Sequence, residues 1–442
     1  MRILYLYHFP LWGNGSANYL RNLVGQLSSR HEIAILAPDQ KRQLGDKIKR
    51  YIVKPPFPSP VFIGHPELPN SKKFPELTGL EFTQLYKSYL TASVRAVTSF
   101  KPDIIHVSHF GYLTWVASFI RSIFGINFIA TTHGSDLKNI EIDKRNIPLT
   151  RNSVYDAKTL TTISGQNKNW MLSLLGKDLS YRTKIIPGGL NLKSFLSKCN
   201  TARLDEKYKL VNENVALFVG SITREKGVEY IIRAADKIDG QIFIAGDGPE
   251  KKNLEKLNKE LNNVNVHFLG YMGKKKQPEL KNFYCRADVF LAPSVCHEAL
   301  GLVILEAMSY ETPAIATHRG GIPLAVKEGK TGLFVKTRSS DDIAEKVNRL
   351  FKDDKLRKKM GQEAKELIEK KFTWERIALS YEKIYENAIT PASNGNGHAK
   401  KKSIPRPKRK PAKKKPPKIV RPIIRGAKLI KKLNPRKKSK KK

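Results

Sequence analysis

Cysteine is scarce in these 442 residues: Cys199, Cys285 and Cys296 are the whole supply. None stands at zinc-ligand spacing from another cysteine or a histidine pair. A disulfide framework and a zinc module are therefore not expected, and reduced thiols in a cytosolic setting are the reading. Long apolar runs are missing as well. No window offers about 18 to 20 uninterrupted apolar residues, so no transmembrane helix is expected. The N-terminus "MRILYLYHFPLWG" has one basic residue and a short apolar run. It lacks the full pattern of a signal peptide and reads as a first buried strand. Negative charge is the last shortage: 40 acidic residues face 81 Lys and Arg, a formal +41.

The excess is uneven. Residues 400–442 hold 22 Lys and Arg and no Asp or Glu, which leaves +19 for the rest. Hydrophobic residues make up 40% of the chain, enough for a core over most of its length. The body is thus a basic globular protein of about two domains, and the tail is a separate object.

What is present is an alternation. In the first half "ILYLYHF", "EIAILAP", "DIIHVS", "INFIATTHG" and "TLTTIS" read as strands, with helix-like segments such as "SANYLRNLVGQLSSR" among them. Continuous apolar strands alternating with helices predict a parallel sheet covered on both faces. The prolines of "VKPPFPSPVFIGHPELPNSKKFPEL" interrupt the pattern and predict a long loop. A loop of that length is a candidate functional segment. Near "KIIPGGLNLKSF" the pattern restarts. "NVALFVGSI", "QIFIAGDG", "NVHFLGYM", "ADVFLAPS", "TPAIATH" and "GLFVK" predict a second parallel sheet, and "TWERIALSYEKIYENAI" a final amphipathic helix. "TPASNGNGHAK" is linker chemistry. The expected organisation is a doubly wound domain over residues 1–188, a second over 189–374, a helix at about 375–389 that packs back on the first, and a tail over 390–442.

Several strand-to-helix loops carry candidate chemistry. "GNGSAN" places Gly15 and Ser16 where a backbone can approach a ligand at a helix N-terminus, or simply turn. Its match to a dinucleotide G-x-G-x-x-G fails at Asn18, and only Asp39 supports that reading. "GSITREKG" follows a strand with Gly220, then sets Arg224 and Lys226 before a helix. Cations there oppose the helix dipole unless a phosphate shares the site, although a solvated loop is the plain alternative. "AGDGPE" offers Gly246 and Gly248 for a tight turn or for amides facing a ligand. "THGSDL" ends a strand with His133, where parallel sheets bind ligands, and Asp136 can equally cap a helix.

The stretch "CHEALGLVILEAM" holds Glu298 and Glu306 eight positions apart around an apolar run. Taken as one helix with Glu298 in its first turn, eight positions rotate about 800°, which puts both carboxylates toward one side and about 12 Å apart. Glu306 lies amid Val303, Ile304, Leu305, Ala307 and Met308, and a buried carboxylate needs a partner. Hydroxyls of a ribose and of a sugar would satisfy the pair.

This stretch resembles the E-x7-E motif of retaining GT-B glycosyltransferases of family four. "HGSDL", "IIPGGLNLKSF", "LFVGSITREKG", "IAGDGPE", "VHFLGYM", "ADVFLAPS", "TPAIATHRGGIPLAVKEGKTGLFV" and "FTWERIALSYEKIYENAI" resemble the blocks of that family in its order. The resemblance covers about residues 1–390. It implies a GT-B fold, with two Rossmann-like domains facing a cleft. It implies a retaining transferase that moves a hexose-type sugar from a UDP- or GDP-sugar to a hydroxyl acceptor, with no cofactor and no metal, and the chain indeed has no D-x-D triplet.

Residue by residue, the resemblance implies that Glu298 contacts the donor sugar and helps stabilise the transition state, and that Glu306 binds the ribose. Lys226, with Arg224 nearby, neutralises the diphosphate. Gly15, with Ser16 beside it, lets the N-terminal loop close on donor and acceptor. His133 touches the sugar. Leu302 and Val303, after Gly301, present amides to the diphosphate. Gly220, Gly246 and Gly248 complete the donor loops. Two positions depart from the family pattern: Ser221 stands where an Arg is common, and Leu300 where an aromatic is common.

The tail's "PIIRGAKLIKKL" puts Ile423, Ile424, Ala427, Ile430 and Leu433 at helical spacing against Arg425, Lys428, Lys431 and Lys432. The tail can be a solvated, disordered charge run, but a short basic amphipathic helix of this kind suits an anionic membrane surface. Together with the enzyme body it favours a peripheral enzyme on the inner membrane face, with a lipid-linked or cell-envelope glycan acceptor. The alternatives are a soluble transferase acting on a small molecule or polysaccharide, and an inactive GT-B body whose tail binds nucleic acid.

Overall fold

The computed structural model describes residues 1–390 except 13, 39–43, 63–67, 69, 193–198, 274–275, 297 and 299. The tail reading from 391 to 442, the Asp39 argument and part of the proline-rich loop fall outside the described residues.

The first apolar runs form a seven-stranded sheet. Its strands are β1 (Arg2–Leu6), β2 (Glu32–Ala37), β3 (Ile48–Ile52), β4 (Ile104–Ser108), β5 (Phe128–Thr132), β6 (Thr159–Thr162) and β7 (Thr183–Ile185). The order is β3-β2-β1-β4-β5-β6-β7, and all neighbours pair in parallel. β4 and β5 are buried at every residue, as sequences rich in Ile, Val and Phe require when helices cover both faces. Strand β3, "IKRYI", is absent from the sequence reading. It is an edge strand whose Lys49 and Arg50 break the apolar run.

The second sheet has six parallel strands: β8 (Val215–Val219), β9 (Gln241–Ala245), β10 (Val266–Gly270), β11 (Val289–Ala292), β12 (Ala314–Thr317) and β13 (Gly332–Val335). Its order is β10-β9-β8-β11-β12-β13. In both sheets the order reverses beside the first strand of the half, at β1/β4 and at β8/β11. Open parallel sheets bind ligands at the carboxyl ends of their strands at such switch points. This is the GT-B architecture, two doubly wound Rossmann-like halves, each with its own core.

The halves are joined twice. The chain leaves the first through Gly188 and Gly189 and returns through the helix Trp374–Ile389, whose apolar face belongs to the first core. The two crossings touch: Leu190 N–H donates to the Phe372 carbonyl at 2.7 Å, and Trp374 N–H donates to the Leu190 carbonyl at 3.2 Å. A buried hydroxyl network fastens the returning helix. Tyr385 Oη lies 2.7 Å from Tyr5 Oη and 2.7 Å from His106 Nδ1. Tyr381 Oη reaches Tyr19, Thr131 and Thr161 at 3.1–3.2 Å.

Two expectations are corrected. Cys199 and Cys285 form a disulfide across 86 residues, and only Cys296 is a free thiol. Spacing cannot reveal such a pair, because folding, not sequence distance, brings the two positions together. The helix imagined through both glutamates begins only at Leu302 and runs to Ser309. Gly301, at φ +72°, stands before it in the left-handed region, so Glu298 precedes the helix and the 800° argument does not apply. No helix among the described residues is long and apolar enough to cross a membrane.

Candidate active site

A cavity of about 360 Å³ opens where the two sheets' carboxyl ends face each other. Gly15, Ser16, Tyr19 and His133 line it from the first half. Gly220, Ser221, Lys226, Glu298, Gly301, Leu302 and Val303 line it from the second. Segments separated by most of the chain therefore meet here.

Local structure explains each placement. On the first side, the Asn14 side chain caps the helix Gly15–Leu27 by accepting from Ala17 N–H at 2.7 Å. Tyr7 Oη lies 2.9 Å from Ser16 Oγ and holds that hydroxyl at the rim. His133 follows β5. Its backbone is held by Asp136, a carboxylate with no solvent exposure. Asp136 accepts from the N–H groups of Phe110 at 2.7 Å, Gly134 at 2.9 Å and His133 at 3.2 Å, and from the Thr132 hydroxyl at 2.8 Å. Asp136 is thus a positioning residue for His133, with first-turn capping as only part of its work.

Burial pushes the His133 imidazole down to about 3, with the His109 ring 4.8 Å away adding to the effect. It is therefore neutral near pH 7. Its Nε2 lies 3.2 Å from Ser108 Oγ. A neutral imidazole can orient a hydroxyl, but it is not a ready proton source.

On the second side, Lys226 ends a short turn after β8. Gly227, at φ +69°, lets this turn press against the chain after β11, since a Cβ there would lie 2.2 Å from the Pro293 carbonyl oxygen. The Val295 N–H donates to the Glu225 carbonyl at 2.8 Å and stitches the two loops together. The result is a direct Lys226–Glu298 ion pair on half-buried side chains, with Ser294 Oγ donating to Glu298 at 3.3 Å. Beside it, the helix Leu302–Ser309 opens on the Leu302 and Val303 amides, while the Ile304 N–H already donates to the Gly301 carbonyl at 2.8 Å. One cation and a helix N-terminus, adjacent in one cavity, make a seat for an anion.

Other candidates lie elsewhere. Arg224 points away, is largely exposed and pairs with Glu250 at 3.1 Å. Gly246 and Gly248 do not line the cavity. A Cβ at Gly246 would lie 1.8 Å from the Gly220 carbonyl oxygen, and one at Gly248 would lie 2.4 Å from that of Ile222. They are spacers that let the loop after β9 support the one after β8. Glu306 sits one helical turn beyond Leu302, off the lining. It accepts from Tyr284 Oη at 2.7 Å, and burial pushes its carboxyl up despite that bond.

Tyr19, Ile163, Gly188 and Trp374 line the cavity without having been singled out. Trp374 comes from the returning helix, whose block reads as a packing helix and not as a site segment. Leu300, in the place of the common aromatic, also lies on the lining. The described parts of the proline-rich loop set Phe62 and Phe74 over a packed ring cluster with His8 and Phe9. Among the described residues no group of three or more His, Cys, Asp or Glu could hold a metal ion.

Known proteins resemble this chain in sequence and in fold. Residues 201–367 match the family model "Glycosyl transferases group 1", and residues 13–194 match "Glycosyltransferase Family 4". The chain is 30% identical to the uncharacterized glycosyltransferase MJ1178 of Methanocaldococcus jannaschii over 285 residues, 64% of this chain and 75% of that protein. It is 28% identical to the N-acetyl-alpha-D-glucosaminyl L-malate synthase of Bacillus anthracis over 304 residues, 66% of this chain and 77% of the synthase. Among solved structures, Anabaena Alr3699/HepE in complex with UDP superposes with a TM-score of 0.69 at 18% identity, covering 88% of this chain and all of that one. At that identity the likeness establishes the fold.

Proposed function

The chain belongs to the glycosyltransferases of family 4, and on that premise we propose that it is a retaining, metal-independent enzyme. It moves a hexose-type sugar from a UDP- or GDP-sugar to a hydroxyl of a lipid-linked or cell-envelope glycan at the cytoplasmic membrane face. The carrying observation is the cavity in which Lys226, Glu298 and the N-terminus of the helix Leu302–Ser309 face His133 and Gly15.

The donor diphosphate is seated on the Leu302 and Val303 amides and on Lys226. Breaking the anomeric bond leaves an oxocarbenium-like sugar and a charged diphosphate. Fixed N–H dipoles and a cation at the leaving oxygen lower that barrier without reorganising. Glu298, held by Lys226 and Ser294, lies at the sugar end and is placed to stabilise positive charge on the ring. Neutral His133 orients a sugar hydroxyl. Glu306 takes the Tyr284 hydrogen bond on Oε2, and in this reading its other oxygen accepts from the ribose hydroxyls. Leu302 and Glu306 are four residues apart, on one helical side and about 6 Å along the axis, a spacing suited to a ribose joined to a diphosphate. Ser221 supplies no charge and Arg224 points away, so Lys226 is the principal phosphate cation of this reading.

The acceptor enters from the first half, and closure of the two halves excludes water that would otherwise hydrolyse the donor. The anomeric configuration is retained by attack of the acceptor hydroxyl on the face that the leaving group departs, and the hydroxyl proton passes to the departing diphosphate oxygen. UDP is the first nucleotide to try, because HepE, which shares the fold, was solved with UDP. The basic segment 400–442 is the membrane contact of this proposal.

The test is a thermal-shift panel of UDP-, GDP- and ADP-sugars on the wild type and Glu306→Ala. Ligand at 100 times its Kd stabilises the folded state by about 2.7 kcal/mol. A shift with one nucleotide class that the variant loses supports the donor site. A folded protein that no donor shifts contradicts it.

A further inference from the structure

A second cavity, of about 540 Å³, lies away from the donor cleft and has no part in the chemistry above. It is lined by Lys370, Lys371, Arg376, Leu379, Ser380 and Lys383. Four of these six residues are cationic and none is acidic.

Its neighbours do not neutralise it. Lys370 pairs with Glu366 at 3.0 Å. Lys371, Arg376 and Lys383 have no ion pair among the described residues, although all three are exposed. Glu382, the acid nearest in sequence to Lys383, points to the other side of the helix. There it is buried against Arg30 at 2.7 Å and His31 at 2.8 Å. Glu375 is exposed beside Arg376 and does not line the cavity. The Ser380 hydroxyl donates to the Arg376 carbonyl at 2.9 Å. Three unpaired cations around one hollow repel each other, and an anion placed between them removes that repulsion.

Position gives the hollow its interest. Lys370 and Lys371 close the helix Asp354–Lys371, whose Ala364 and Ile368 belong to the core of the second half. Arg376, Leu379 and Lys383 form one stripe on the helix Trp374–Ile389, whose opposite face belongs to the core of the first half. The two walls therefore ride on different halves and meet at the crossing of Phe372 and Trp374 with Leu190. Arg376 lies in the first turn of its helix, where the dipole disfavours a cation, so a nearby anion relieves this conflict as well.

We propose that Lys370, Lys371, Arg376 and Lys383 form a phosphate-binding site, separate from the donor cleft, that bridges the two halves at their seam. The ligand is a multiply charged phosphate. It is supplied either by a free polyphosphate-type anion or by the headgroup of an anionic lipid, with exposed Leu379 then at the acyl boundary. A bound phosphate holds the end of one helix to the side of the other and so biases the approach of the halves.

Hydrogen exchange on the full chain separates this site from the donor cleft and from the basic tail, because protection is read peptide by peptide. The probes are inorganic pyrophosphate, phosphatidylglycerol vesicles and neutral phosphatidylcholine vesicles. The proteins are the wild type, Lys226→Ala, and the exposed-residue triple Lys371→Ala, Arg376→Ala and Lys383→Ala. The expected result is about tenfold slower exchange across 368–384 at pyrophosphate ten times its Kd. It persists in Lys226→Ala and is lost in the triple variant. Protection by pyrophosphate identifies a free anion as sufficient. Protection by phosphatidylglycerol vesicles alone assigns the headgroup. No protection by either anionic probe overturns the site, and so does equal protection in the triple variant or by phosphatidylcholine. Loss of donor binding in the panel above would leave this result standing, so the two failures are distinguishable.

Discussion

Replacing Gly320 with alanine tests how Glu298 is held. Gly320 sits at φ +56°, and a Cβ built on it would lie 1.7 Å from the carbonyl oxygen of Glu298. Real Cβ contacts stay above 3.0 Å, so this oxygen has to retreat by about 1.3 Å. It also accepts the Gly321 N–H at 2.8 Å, a bond that the retreat breaks. Left-handed strain on a side-chain-bearing residue costs about 1–2 kcal/mol. The lost hydrogen bond adds about 0.5–1.5 kcal/mol. The expected destabilisation is therefore about 1.5–3.5 kcal/mol, read by urea denaturation. Because a shift of about 1 Å in a reacting group can cost about 10²-fold, turnover should fall by a similar factor in the protein that remains folded. The control is Gly329→Ala: its φ is +72°, yet nothing lies within 4 Å of the new Cβ. It should show the strain alone, with turnover unchanged. If the two variants cost the same stability and both keep turnover, the contact with Glu298 does not govern the site.

Three further outcomes follow from side chains already described. Burial raises the Glu306 carboxyl above its ordinary value of 4.5, so the folded state holds this proton more tightly than the unfolded one. That contribution is full below the ordinary carboxylate range and is lost as pH rises through the raised value. Wild type should therefore lose stability relative to Glu306→Gln as pH climbs from 4.5, and a difference flat with pH would contradict the burial argument. Tyr385→Phe strands Tyr5 Oη and His106 Nδ1 inside the first core and should cost about 1–3 kcal/mol in urea denaturation. Glu382 has its carboxyl held below the ordinary value: burial opposes ionisation, but the bonds from Arg30 and His31 outweigh it. Its stabilisation is present above 4.5 and lost as pH falls through the lowered value, so the stability gap between wild type and Glu382→Gln should close on acidification.

Which parts were legible in the sequence has a physical pattern. Strands buried on both faces announce themselves as unbroken apolar runs, as in "DIIHVS" and "NVALFVGSI". Edge strand β3 is interrupted by exposed Lys49 and half-buried Arg50 and gave no such run. Blocks after strands pointed to Gly15, His133, Lys226 and Glu298, because a doubly wound fold gathers strand ends at one cleft. The structure brings these four together. What the pattern could not show depends on distance in space. Trp374 and Gly188 reach the cavity from the crossing between halves, and Cys199 meets Cys285 across 86 residues. Glycines misled in a particular way: Gly246 and Gly248 looked like ligand loops, but they are places where one loop's backbone touches another's. The apolar run after Glu298 hid a left-handed Gly301, so the helix starts only after the carboxylate.

The central claim is that the Lys226–Glu298 corner of the cavity cleaves a nucleotide-sugar. The most direct measurement is nucleoside-diphosphate release at saturating donor, comparing wild type with Glu298→Gln. Removing one charged group that acts on the transition state should lower release by about 10²–10³-fold, with donor binding and urea stability nearly unchanged. Release at the wild-type rate by the folded variant would place the chemistry elsewhere and contradict the account.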